Sequence, residues 1–326
     1  MALPLVILTH PLPVDWISSL QGRVRLLVGP ADPPGFAPHL LEQMDEAVGI
    51  LCFLSDKVDQ ALIDSAPRLK IVSNMAGGVD NVNLAACTRR GIPVGNTPDV
   101  VTDATADLAL ALLLSTARLL PAASRDAKDG LWKTWSPTQW LGADLRGATL
   151  GLVGMGKIGQ AVAERARGFG MKILYTNSRQ HPTLDSSSAA TYCSLDQLLA
   201  ESDFVSLHCP LTPQTRGLLD KAALKRMKPT AILINTSRGQ VVSQDALIEA
   251  LQQGWIAGAA LDVTDPEPLP VDNPLYSLPN CLVVPHIGSA THGTRRRMAE
   301  MACDNLLAGL AGQRLPYLVN QDVLGK

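Results

Sequence analysis

Three side chains far apart in the chain carry groups able to hold an anion and move a proton: Arg238 in INTSRGQVV, Glu267 in DVTDPEPLP and His286 in VVPHIGSATH. A guanidinium can grip a carboxylate through two parallel hydrogen bonds and polarise the carbonyl beside it. Reduction of a carbonyl by hydride leaves an alkoxide that must be protonated, and an imidazole suits that task at neutral pH. A lone histidine after an apolar strand is more often structural than catalytic. Glu267 alters that balance if it reaches the ring, because a carboxylate there would fix the tautomer and keep the acid charged until hydride arrives. Arg238 follows the apolar run AILIN, and its neighbours Ser237 and Gly239 are small, as close approach by a cofactor would need. His208 and His292 are weaker candidates, the first expected to line a cofactor crevice and the second to sit on the last helix.

A source of hydride is suggested upstream. Gly154, Gly156 and Gly159 in GLVGMGKIG fit G-x-G-x-x-G, directly after TLGLV and before IGQAVAERA. That strand–turn–helix setting is the context in which the motif binds a dinucleotide pyrophosphate; the alternative is a glycine-rich turn that binds nothing. The next strand ends in YTNSRQ, where NAD-binding domains put an acidic residue, roughly 20 residues on, against the ribose hydroxyls. Here Asn177, Ser178 and Arg179 occupy the position. A neutral residue removes repulsion toward a 2′-phosphate and a guanidinium can pair with one, which favours NADPH and leaves NADH possible. The bland reading of Arg179 is a loop arginine that touches nothing.

Short apolar runs that alternate with helical patterns must position these groups. Leu5–Leu8, Val48–Phe53 and Leu69–Ser73 read as strands near the N-terminus. A second series runs through Ala148–Val153, Lys172–Thr176, Phe204–His208, Ala231–Asn235, Gly258–Leu261 and Leu282–Val284. Amphipathic stretches at Ile158–Gly168, Leu218–Met227 and Ser243–Gln252 lie between them. Pro98–Leu120 reads as one long helix, apolar enough to need cover from another lobe or subunit. Asp185–Ala190 reads as an exposed loop, and a last helix near Ala290–Leu310 returns the chain to its first lobe. The expected fold is α/β with two doubly wound parallel-sheet domains. A Rossmann-type cofactor domain over 101–290 is inserted in a flavodoxin-like substrate domain built from 1–100 plus 291–326.

The 326 residues suit two lobes, with 46% hydrophobic and 18% charged side chains. Twenty-eight basic residues against 30 acidic ones give a net charge of −2, with no electrostatic footprint for nucleic acid or an anionic membrane. The run Arg295–Arg297 reads as a solvated helix face or as interface salt bridges. Six scattered cysteines without a CxxC pair fit buried thiols in a reducing cytoplasm. MALPLVILTH reads as a first strand, not a signal peptide, and the ten apolar residues Leu108–Ala117 are too few to span a bilayer. No zinc-ligand spacing and no GxSxG elbow is present, so metal-assisted transfer and serine hydrolysis are disfavoured.

With these residues in hand, the chain resembles the D-2-hydroxyacid dehydrogenases along essentially its whole length, and within them the glyoxylate/hydroxypyruvate reductase branch. The carrying segments are NMAGGVDNVNLAACTRRGIPVGNTPDVVTDATADLA, GLVGMGKIGQAVA, INTSRGQVV, AALDVTDPEPLP and PHIGSATHGTRRRMA. The resemblance implies reduction of a small 2-keto acid to its 2-hydroxy acid, with Arg238 as substrate binder and carbonyl polariser. It makes His286 the general acid/base and Glu267 its partner. It implies backbone amides of Gly77 and Gly78 receiving the substrate carboxylate, with Ser289 nearby. The family often has a larger residue in place of Gly77, so extra room is expected there. Thr105, Lys157, Ile158, Cys209, Pro210, Thr236, Ser237, Asp262 and Gly288 join the glycine turn as implied cofactor contacts. The segment LWKTWSPTQWLGADLRG matches a tryptophan-bearing arm that in this branch crosses to the partner of a homodimer. Trp140 would then help close the other subunit's pocket, while Trp132 and Trp135 read as interface packing.

Two other readings share these motifs. One is a different 2-hydroxyacid specificity; a phosphoglycerate enzyme is disfavoured by the absence of an acidic cofactor-specificity residue and of a regulatory domain. The other is a cofactor-sensing binding protein of the same fold resembling the C-terminal-binding corepressors, which the tryptophan arm and lack of extra tails argue against.

Overall fold

Short apolar runs, most of four or five residues, become the strands of two all-parallel sheets. The computed structural model of the chain describes residues 2–32, 35–180 and 190–325. It divides into two compact units, Met1–Val101 with Ala290–Lys326 and Thr102–Ser289.

In the first unit β1 (Leu5–Leu8), β2 (Arg25–Val28), β3 (Gly49–Cys52), β4 (Ile71–Asn74) and β5 (Val94–Gly95) lie in the order β2-β1-β3-β4-β5. All four pairings are parallel, the doubly wound order of flavodoxin-like folds. Successive residues of a strand face opposite sides. Ile7, Ile50 and Val72 therefore pack with Leu40, Ile63 and Cys87 on one face. Val6, Leu8, Leu51 and Ile71 pack on the other, under Met298, Ala302 and Leu306 of the terminal helix His292–Leu310.

In the second unit β6 (Thr149–Val153), β7 (Lys172–Thr176), β8 (Ala190–Tyr192), β9 (Phe204–Leu207), β10 (Ile232–Asn235), β11 (Gly258–Leu261) and β12 (Cys281–Val283) lie in the order β12-β11-β10-β9-β6-β7-β8. The strand order reverses between β6 and β9, which makes that junction the topological switch point of a Rossmann-type sheet. One face carries the helices Leu195–Glu201, Lys221–Arg226 and Gln244–Gln252, and the other carries Thr102–Ala117 and Lys157–Gly168.

Two expectations change. Pro98–Leu120 is not one helix: Thr102–Ala117 ends, the chain bends by 62° through Leu119 in the left-handed region, and Leu120–Lys128 follows. Pro121 is the cause, because its ring would clash with the carbonyl of Ala117 four residues back and it has no N–H to donate. That carbonyl instead accepts from Ala143 N. The cover for the apolar helix also comes from its own unit: Ala106, Leu110 and Leu113 pack with Ala161, Ile232 and Ala260. Leu108 and Leu114 on the same helix stay half-buried. Apart from Ala190, which opens β8, the predicted loop Asp185–Ala190 lies outside the described residues. Among those residues no single helix is long and apolar enough to cross a membrane.

Phe204 is 1% exposed at the centre of the second sheet. Phe204→Ala is expected to lower the unfolding free energy by about 3–5 kcal/mol through lost burial and a residual cavity. Urea denaturation checks this; an unchanged midpoint would remove Phe204 from the core.

Candidate active site

Every strand of the second unit runs the same way, so the residues that follow the strands share one edge. Gly154 follows β6, Asn177 follows β7, His208 and Cys209 follow β9, Thr236 to Arg238 follow β10, Asp262 follows β11, and His286 lies three residues beyond β12. The glycine turn opens at the switch point. Gly154 has φ +102°, and a Cβ there would stand 2.6 Å from Cys209 N, so only glycine closes the turn. Gly156 is the N-cap of the helix Lys157–Gly168, with no side chain capping its first amides and open space where a Cβ would stand. A 12-residue helix with uncapped N–H groups above an open glycine is a cradle for a phosphate anion. The residues present therefore fit a dinucleotide.

Asn177 is not simply a neutral substitute for an acid. Its Oδ1 accepts Met155 N at 2.7 Å, tying the end of β7 to the glycine turn. Ser178 and Arg179 are exposed beyond it.

His286 and Glu267 meet. Nδ1 of the imidazole lies 2.8 Å from Glu267 Oε2, with both side chains half-buried, while Oε1 of the same carboxylate accepts Thr264 N at 2.9 Å. One oxygen fixes the loop and the other faces the ring. The histidine backbone is held as firmly. His286 adopts φ +50°, which costs a non-glycine residue about 1–3 kcal/mol and persists only where neighbours over-determine it. Its N–H reaches the carbonyls of Asp262 and Val284, both at 3.0 Å. The buried Asp262 carboxylate accepts Ile287 N at 2.6 Å and Gly288 N at 2.9 Å. Burial pushes the Asp262 carboxyl up, and those two donors oppose the shift. Thr105 joins the same turn, its hydroxyl donating to Gly288 O at 3.3 Å.

Arg238 is set by Asn235, a residue the motif reading passed over. Asn235 Oδ1 accepts both the backbone N–H and the hydroxyl of Ser237, and Asn235 Nδ2 donates to Arg238 O at 2.9 Å. An asparagine ending an apolar strand before T-S-R is the available signal for such an Asx turn. Thr264 was passed over too, because it contributes only a backbone amide to Glu267. Gly239 has a packing cause of its own. A Cβ on Gly239 would stand 1.9 Å from Thr264 O, so glycine is required by the strand-end loop that carries Glu267.

Gly77 and Gly78 belong to the first unit, just beyond β4. A Cβ on Gly77 would meet Val101 Cγ2 at 3.3 Å, so the extra room expected there is bounded by a valine methyl. Ser289 is half-buried at the end of the second unit, Pro210 is exposed, and the arm leaves Trp132, Trp135 and Trp140 at 70%, 79% and 36% exposure. His292 is the first residue of the terminal helix.

Comparison with known proteins agrees with this architecture. The family model for the D-isomer specific 2-hydroxyacid dehydrogenase, NAD binding domain, matches residues 110–288. A glyoxylate reductase from Korarchaeum cryptofilum is 46% identical over 322 residues, covering 98% of this chain and 97% of that protein. A crystal structure of a protein from Thermus thermophilus superposes with a TM-score of 0.90 at 48% identity, over 97% of this chain and 99% of that one. An NADPH-dependent glyoxylate/hydroxypyruvate reductase from Sinorhizobium meliloti, solved with NADP and malonate, gives 0.87 at 33% identity, over 98% and 97%.

His208 lies at the switch point, its Nε2 2.9 Å from Ser206 Oγ and its Nδ1 3.4 Å from Thr236 Oγ1. Burial pushes the imidazole down from 6.5 to about 4. Between those values the unfolded chain binds a proton that the folded chain refuses, so stability falls as pH drops through the window, by at most about 1.4 kcal/mol per pH unit. Thermal denaturation of wild type and His208→Asn from pH 7 to 4 checks this. The variant should lose part of the slope; equal slopes would mean that His208 stays accessible to protons.

Proposed function

The chain belongs to the D-isomer specific 2-hydroxyacid dehydrogenase family of NAD(P)-dependent oxidoreductases, and from that premise we propose that it reduces glyoxylate to glycolate and hydroxypyruvate to D-glycerate, with NADPH preferred over NADH. The observation that carries the reading is the 2.8 Å contact between His286 Nδ1 and Glu267 Oε2 at the strand edge that also bears the glycine turn. Relatives named as reductases of these substrates support it.

The nicotinamide cofactor supplies the hydride when bound. Glu267 holds the Nδ1 proton of His286, which leaves Nε2 to carry a proton to the carbonyl oxygen. Arg238 pairs with the substrate carboxylate and stabilises charge that develops on that oxygen. Gly77 and Gly78 receive the carboxylate through their amides, and Ser289 completes the substrate contacts. Gly154, Gly156, Lys157, Ile158 and Gly159 hold the pyrophosphate. Asn177, Ser178 and Arg179 take the adenosine ribose with its 2′-phosphate, and Cys209 and Pro210 flank the adenosine. Thr105, Thr236, Ser237, Asp262 and Gly288 serve the nicotinamide side. The assembly we propose is a homodimer in which Trp140 of the partner subunit closes the pocket. The six unbridged thiols fit a cytoplasmic enzyme.

His286→Ala and Arg238→Ala are each expected to retain less than about one-tenth of wild-type kcat/KM for glyoxylate, the usual size of a lost general acid or charge stabiliser. Steady-state assays decide it, and wild-type turnover in either variant would sink the assignment. Initial rates with both cofactors test the other half of the reading. Arg179→Ala should raise KM for NADPH by roughly fivefold or more through loss of a phosphate ion pair and leave KM for NADH unchanged. Equal effects on both cofactors would discard the 2′-phosphate role.

A further inference from the structure

Around Gly77 and Gly78 three successive carbonyls are tied back into the first unit. Ala76 O accepts Thr97 N at 2.9 Å. Gly77 O accepts Asn96 Nδ2 at 2.8 Å, and Gly78 O accepts Asn74 Nδ2 at 3.1 Å. In a planar trans peptide the C=O and the following N–H point in opposite directions. Each tied carbonyl therefore aims one amide opposite to its own partner: Ala76 O sets the Gly77 N–H, Gly77 O sets the Gly78 N–H, and Gly78 O sets the Val79 N–H.

The donors are themselves fixed. Asn74 is fully buried, and its second amide proton goes to Asn81 Oδ1 at 3.0 Å. Asn81 in turn donates to Phe53 O and Asp56 O, both at 2.9 Å. Asn96 is held from the far end of the chain. Asn305, fully buried on the terminal helix, donates to Asn96 O at 2.9 Å and accepts Tyr317 N at 3.0 Å. A Cβ on Gly95 would stand 2.5 Å from Asn305 Cγ, so the residue before Asn96 is glycine because that carboxamide lies against it. A carboxamide network anchored by the buried Asn74 and Asn305 favours a single loop geometry.

We propose that Asn96 is a positioning residue that aims the Gly78 amide at the substrate carboxylate, with Asn74 and Asn305 locking the same frame. The proposal rests on the keto-acid reading above, since it needs an anionic group for the amides to meet. Pre-organised donors of this kind contribute by removing the cost of orienting them when the ligand binds. Loss of Asn96 is therefore felt in carboxylate binding and not in the hydride or proton step.

The test uses the full chain with NADPH, as wild type, Asn96→Ala and Asn96→Asp. Both variants should raise KM for glyoxylate and the inhibition constant of oxamate by about tenfold, the effect of one misdirected charge-assisted hydrogen bond. Turnover at saturation, NADPH affinity and melting temperature should stay close to wild type. An effect confined to Asn96→Asp would report charge repulsion only and overturn the proposal, as would a fall in kcat or NADPH affinity that matches the rise in KM. Should the wild-type chain reduce no 2-keto acid, the functional reading fails on its own. The positioning role is then read with 15N-glycine-labelled protein titrated with oxamate. A shift of the Gly78 amide resonance in wild type that vanishes in Asn96→Ala upholds it; no Gly78 shift in wild type, or one that persists in Asn96→Ala, overturns it.

Discussion

The parallel pairing of β6 with β9, which sets Leu150 beside Phe204 and Val153 beside Leu207, is the constraint on which the second unit depends. It joins segments about fifty residues apart and reverses the strand order there. Two loops leave the sheet in opposite directions at a reversal, and the gap between them is the crevice. The glycine turn and the His208–Cys209 segment become its two walls, close enough that Gly154 cannot carry a side chain. Had β9 paired elsewhere, the same turn would still bind a phosphate in principle, but nothing would flank it.

A second theme is the work assigned to polar residues at strand ends. Asn177, Asn235 and Asp262 each use side-chain oxygens to satisfy backbone amides of a neighbouring turn. Buried amides without partners are costly, so these contacts fix the turns that carry Arg238 and His286. The left-handed backbone of His286 is a costly element, and it stands where Asp262 supplies its carbonyl and its carboxylate together. The first unit works mostly in the opposite sense: Asn74, Asn81 and Asn96 donate side-chain N–H groups to loop carbonyls, while Asn305 donates to Asn96 O and accepts Tyr317 N.

Much of this was legible in the sequence. Strands such as Lys172–Thr176 and Gly258–Leu261 matched to the residue, because both sides of a parallel sheet are covered and the strands read as continuous apolar runs. The missed strands are edges or fragments. Arg25–Val28 is half-exposed, Val94–Gly95 is two residues long, and Ala190–Tyr192 borders the sheet; none presents a long apolar signal. The helix predicted over Pro98–Leu120 was overrun because its apolar pattern continues past Ala117, while Pro121 acts four residues backwards along the chain.

Reading along the chain is enough to say which groups it has and in what order they occur: a glycine turn after a strand, then an arginine, a carboxylate and an imidazole. It also gives the approximate edge on which they emerge, since strand direction and apolar spacing are local properties. Which donor meets which acceptor was set by the folded packing alone. That Glu267 reaches His286, that Asn177 closes on Met155, and that Gly239 is small for the sake of Thr264 depend on distances between strands that the sequence separates by 19 to 25 residues. Hydrogen bonds and close contacts are short-ranged and directional. A pattern along one dimension identifies their candidates, and the packed sheet selects among them.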